Sequence, residues 1–179
     1  MMSCLYSLYR LLQESIEKTE FSDLEIKDGL LLKVSIDVKG RVIIPDTVTE
    51  IKRGAFSGCE YITSVVIPKS VKKIGSGVFF GCWDLVSVNL PVGIPKIGDF
   101  SFMGCEKLKA IELPDTVREI GKEAFVGCVR LNSITIPESV RNIGLRAFDK
   151  CENLKRVYLS KNTKYTYTSF PSHTKLVKR

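Results

Sequence analysis

The sequence predicts a mainly β solenoid with some α, built of stacked parallel strands and closed at its start by a capping helix. Three observations carry this reading. First, Ile51, Ile74, Ile97, Ile120 and Ile143 stand 23 residues apart, and so do Phe56, Phe79, Phe102, Phe125 and Phe148. Cys59, Cys82, Cys105, Cys128 and Cys151 keep the same period, as do Pro45, Pro68, Pro91, Pro114 and Pro137. A fixed period of about 20 to 50 residues marks a stacked repeat. Second, each unit holds a short alternating run such as Ile134-Thr135-Ile136, the signature of a strand with one face buried. Third, the chain opens on an amphipathic stripe at helical spacing.

That stripe is Leu5, Leu8, Leu12 and Ile16, within a helix expected over residues 3–19 with Ser3 as N-cap. Its place is over the first coil, because a solenoid leaves a raw apolar end that needs a cover. The chain reads as a single repeat domain, 1–179, with a helical N-terminal cap at 1–27, repeat coils at 28–160 and a C-terminal cap or tail at 161–179. After Asp28-Gly29, two short strands are expected around a turn at Asp37 to Gly40: Leu30 to Ile36, then Val42 to Ile44.

Each full unit then carries one strand. Val65/Ile67, Val88/Leu90, Ile111/Leu113, Ile134/Ile136 and Val157/Leu159 are its inward pairs, and proline ends most of these strands because it cannot donate to a ladder. Val117 and Ile120 point inward from the opposite wall, and Gly75, Gly98, Gly121 and Gly144 make a corner. One helical or 3₁₀-like turn is expected at each Ala-Phe-x-Gly-Cys segment. The extra Pro95 near Gly93 is expected to distort the back wall of its coil.

The recurring Ile-Gly-x-x-Ala-Phe, Cys-x-x-Leu and Ile-Pro-x-x-Val blocks resemble the BspA-like class of leucine-rich repeats over about residues 28–160. Ser169-Phe170 resembles the Ala-Phe slot of a degenerate last unit. Local departures are Val78 and Ser101 for Ala, Lys52 and Lys150 for Gly, and Ser160 for the strand-ending Pro. The resemblance implies a leucine-rich-repeat solenoid. It also implies the work of similar proteins, which are mostly surface adhesins and binding modules, often in host-associated microbes.

The composition excludes several classes. At 44% hydrophobic and 26% charged, the 179-residue chain is of the folded, globular kind. No apolar run approaches the roughly 20 residues of a membrane span. The first residues make no signal peptide, so the chain as written is expected to be cytoplasmic, or exported and lacking its leader. The spacing of one cysteine per coil argues against metal sites and disulfides. Stacked strands lie about 4.8 Å apart, whereas bridged Cβ atoms prefer about 3.8 Å. A ladder of buried free thiols is expected instead. His173 is the only histidine and lies in the tail, which removes Ser-His-Asp and Cys-His catalysis. No enzyme activity and no cofactor are expected.

What remains is surface. The outward strand positions form a column, Val66, Asn89, Glu112, Thr135 and Tyr158, with Lys155 and Arg156 beside its end. Solenoids present such faces to partners, so the first reading is an adhesin-like, protein-binding strand face with an unidentified protein ligand. A second candidate is an apolar patch of Phe80, Trp83, Met103 and Val126. The second functional reading is polyanion binding, to nucleic acid or sulfated glycan. Residues 141–179 hold ten Lys/Arg against two acids, a net +8 that outweighs the −1 of the other 140 residues to give the net charge of +7. The oligomeric state is left open.

Overall fold

The computed structural model describes residues 23–179, so the helix expected over 3–19 lies outside the described residues. Within them the chain winds as a solenoid in which most coils contribute a front strand of three to five residues and a two-residue back strand; the front strand expected at Ile111/Leu113 does not form, because that segment makes no ladder bonds. The front wall carries β3 (Gly40–Ile43), β5 (Ile62–Val66), β7 (Ser87–Asn89), β10 (Ser133–Thr135), β12 (Arg156–Leu159) and β13 (Lys175–Lys178). The back wall carries β2 (Leu30–Val34), β4 (Glu50–Ile51), β6 (Lys73–Ile74), β8 (Lys96–Ile97), β9 (Glu119–Ile120) and β11 (Asn142–Ile143). Strands pair in parallel on both walls, in the 23-residue register the sequence predicts: Val65 opposite Val88, Ile97 opposite Ile120, Ile134 opposite Val157.

The start differs from the expected pair of strands around Asp37 to Gly40. Leu30–Val34 and Gly40–Ile43 lie on different walls, one beside β4 and the other beside β5. The antiparallel partner of β2 is β1 (Leu24–Lys27), joined through Asp28-Gly29. Both turn residues have positive φ, 50° and 75°, the conformation that a two-residue hairpin needs. At the other end the stack runs on past residue 160. Phe170 stacks on Phe148 at 5.2 Å, and β13 pairs with β12, so the tail forms a last, shortened coil.

The third wall joins front to back through turns. Here the expected helical turn breaks up. Ser57 and Cys59 donate three residues back, to Gly54 and Phe56, but left-handed residues interrupt the winding. They recur at period 23 in two columns: Gly54, Gly77, Phe100, Glu123, Arg146, and Gly58, Gly81, Gly104, Gly127, Lys150. A right-handed helix cannot continue through such residues. The corner glycines serve another need. A Cβ on Gly144 would lie 2.5 Å from the Lys122 nitrogen of the preceding coil.

Inside, Phe56, Phe79, Phe102, Phe125 and Phe148 form one ladder with centroids 5.0 to 5.3 Å apart. All five described cysteines are buried and free. Each thiol of Cys82, Cys105, Cys128 and Cys151 donates to the carbonyl of the core Phe of the coil before, at 3.1 to 3.2 Å. Burial pushes the Cys59 thiol up to about 11 and holds Cys82, Cys105 and Cys128 well above the ordinary thiol range. Inert, protonated sulfur fits a structural role.

Candidate functional site

The front wall turns every second residue outward, because successive strand side chains alternate between faces. Register pairing sets Val66 beside Asn89, Thr135 beside Tyr158, and Tyr158 beside Val177. Val66, Asn89 and Glu112 meet in a groove of about 580 Å³, whose small floor includes Ser64, Ser87 and Ala110. Glu112 and Thr135 line a neighbouring one. The predicted column is therefore one continuous surface. Asn89, Glu112, Thr135, Lys155 and Arg156 are exposed, and Val66 and Tyr158 are half-buried.

Two features of this face were not apparent from the repeat. Tyr158 is not its last rung: β13 adds Val177, and the Arg179 guanidinium lies over the Tyr158 ring, 4.6 Å from its centroid. That cation–π contact explains the partial burial of Tyr158. Arg156 is register partner to Lys175, so two exposed cations stand side by side. Neither has an ion-pair partner among the described residues. A degenerate last unit carries no spacing from which β13 is readily placed.

On the turn wall, Phe80 (44% exposed) and Trp83 (51%) reach solvent and Met103 is half-buried, but Val126 is buried at 6%. The fourth member of the expected patch therefore faces inward. Phe80 and Met103 line a groove of about 400 Å³ together with Phe100 and Arg53. Phe100 occupies a left-handed slot, held by glycine in the two coils before it, and this turns its ring to the groove. Reading the column of slots as Gly, Gly, Phe would have found it.

The chemistry these surfaces offer is recognition. The front face presents amide, carboxylate, hydroxyl and phenol groups suited to hydrogen bonding. Among the described residues no group of three His, Cys, Asp or Glu side chains is disposed to hold a metal. No described helix is long and apolar enough to cross a membrane.

Comparison with known proteins agrees with this geometry. A BspA type leucine rich repeat region matches in six copies, over residues 40–155 and 72–178. Among solved structures, a leucine rich cell surface protein from Faecalibacterium prausnitzii is 34% identical with a TM-score of 0.71, over 73% of this chain and 35% of that one. The chain thus spans about a third of that relative's length. A leucine rich repeat protein of T. pallidum is 28% identical with a TM-score of 0.74, covering 83% of this chain and 81% of its own. The pneumococcal vaccine antigen PcpA shares the fold at 22% identity and a TM-score of 0.73, over 85% of this chain and 40% of that one. A search of curated protein sequences gave no match. By sequence, register and fold, the chain belongs to the BspA-type leucine-rich repeat family.

Proposed function

We propose that the protein is a non-enzymatic, adhesin-like interaction module that binds a protein ligand through its front face. One observation carries the reading. The core slots repeat with few departures, while the outward column Val66, Asn89, Glu112, Thr135, Tyr158 differs at every rung; its first four members line two adjoining grooves, and Tyr158 is the register partner of Thr135. A varied column over a repeated core separates specificity from folding. The Faecalibacterium relative, described as a cell surface protein, supports the adhesin-like sense of the proposal. Tyr158 is the expected anchor, since Tyr and Arg often carry interface energy and Arg179 already holds the ring in place.

The test is selection of a random peptide display library on the wild-type protein. Binders are then measured against Tyr158→Ala and against Asn89→Ala with Thr135→Ala. Loss of more than about 1 kcal/mol in each is expected for most clones. Clones that bind both variants as tightly as wild type would move the site to the turn-wall groove of Phe80, Phe100 and Met103.

A second reading is favoured by the Arg156–Lys175 pair. Like charges on adjacent rungs are unfavourable unless an anion bridges them, so we propose polyanion contact at that end as the alternative.

A further inference from the structure

The three walls of the stack are not equally tied. On the turn wall every rung from Gly54 onward bonds to the next. Gly54, Phe56 and Gly58 donate to Ser76, Val78 and Phe80, and the same trio of bonds recurs through Gly77/Phe79/Gly81, Phe100/Phe102/Gly104 and Glu123/Phe125/Gly127. The other two walls are interrupted, the back at one step and the front on both sides of one rung. On the back, β2–β4–β6 and β8–β9–β11 are separate ladders, with no backbone bond from β6 to β8. Pro95 gives the cause. Lys72 and Arg118, in the same slot, each donate to the coil before (2.9 and 2.8 Å), and proline has no N–H to do so. On the front, one ladder ends at β7 and the next begins at β10. The intervening Ala110–Leu113 shares no backbone hydrogen bond with either neighbour.

The core loosens at the same level. Val88 and Ile111 are 8% exposed, whereas Val65 and Val157, in the same slot, are 1% and 0%. Ile74 is half-buried, while Ile51 and Ile120 are fully buried. A small cavity opens beneath, lined in part by Ile74, Ile97 and Ser101. The Ser101 hydroxyl is buried without a hydrogen-bond partner, in a slot that Ala fills at 55, 124 and 147. Missing ladder bonds and sparse packing are the marks of a region that opens at low cost.

We propose that the solenoid is two rigid plates joined by a hinge at this level. The unbroken turn wall is the leaf, and the front face changes curvature by bending about it. Val66 and Asn89 lie on one plate, Thr135 and Tyr158 on the other, and Glu112 lies between them. A ligand therefore fixes the curvature only if it is long enough to contact both plates. That consequence rests on the front face being the binding surface; the hinge itself does not.

Hydrogen exchange on the free protein tests the hinge without any ligand. Amides of Gly98 and of Ala110 to Leu113 are expected to exchange about tenfold or more faster than those of Val65, Ile134 and Val157, with Phe79, Phe102 and Phe125 slow. Equal protection at all of these would overturn the hinge. Pro95→Lys restores the missing donor. It is expected to slow exchange at Gly98 and leave Ile134 unchanged. Unchanged exchange at Gly98 in folded Pro95→Lys would equally count against the proposal. Ser101→Ala, which fills its slot as the neighbouring coils do, is the milder variant: a raised melting temperature is expected and a lowered one contradicts loose packing here. None of these measurements involves a partner, so a failure here leaves the display experiment to judge the binding surface separately.

Discussion

The described thiols show how much a single residue slot can and cannot disclose. Their 23-residue spacing was enough to read them as buried and unbridged, because a line of single cysteines offers neither a tetrahedron nor a close pair. Their acceptors were not legible, since for Cys82, Cys105, Cys128 and Cys151 the carbonyl that takes the S–H lies 26 residues back, on the neighbouring coil. A pH dependence follows. Desolvation raises these thiols in the folded state, to about 11 for Cys59 and well above the ordinary thiol range for Cys82, Cys105 and Cys128. Below the unfolded value of about 8.5 both states are protonated and stability is complete. Above it the unfolded chain ionises first, so stability falls as pH rises toward the folded values. Urea midpoints taken from pH 7 to 10.5 should decline above about pH 8.5, and Cys105→Ala should decline less steeply. A flat profile would mean the thiols ionise freely in the folded state.

At the scale of elements, the front strands were legible except at Ile111/Leu113, where the expected strand does not form, because period-2 alternation reports one buried face and not the backbone bonds. The hairpin of β1 and β2 was not assigned, although Asp28-Gly29 between apolar runs is a strong hairpin signal. Leu24 and Ile26 stand outside the repeat, so no register pointed to them. The cut in the front ladder was hidden for the opposite reason: Ile111 and Leu113 fit the apolar pattern as well as their neighbours, and only the backbone bonds are absent. The hairpin is testable at its turn. Gly29 has φ 75°, and a Cβ there would sit 3.2 Å from the Thr49 hydroxyl. Gly29→Ala is expected to cost about 1 to 2 kcal/mol, the left-handed penalty for an L-residue. Gly40→Ala has the same penalty at φ 72° but open space around the Cβ, so it should cost less. Equal melting temperatures for the two variants would show that contact with the next coil adds nothing.

For the whole molecule, the sequence located the charge but not its arrangement. Ten basic residues after position 140 predict a cationic end. In three dimensions Arg146 is tied to Asp149 at 2.6 Å, Arg179 lies on Tyr158, and Lys178 lies over the Tyr165 ring. Arg156 and Lys175 remain side by side on the front face, and exposed Lys155 precedes them. Protein recognition and polyanion recognition thus overlap at one end of the same surface, and salt separates them. Each phosphate or sulfate contact made by Lys or Arg releases counterions, so polyanion affinity falls steeply with salt, whereas a contact anchored on an aromatic ring does not. A heparin column and a column of short single-stranded DNA, each run from 50 to 500 mM salt, read this out. If the basic end takes polyanions, Arg156→Ala with Lys175→Ala should lower the elution salt on at least one column, and Tyr158→Ala should scarcely change it. Protein without salt-dependent retention on either column, with display-selected ligands still sensitive to Tyr158→Ala, would leave the front face as a protein-binding surface whose cations shape only the approach of the partner.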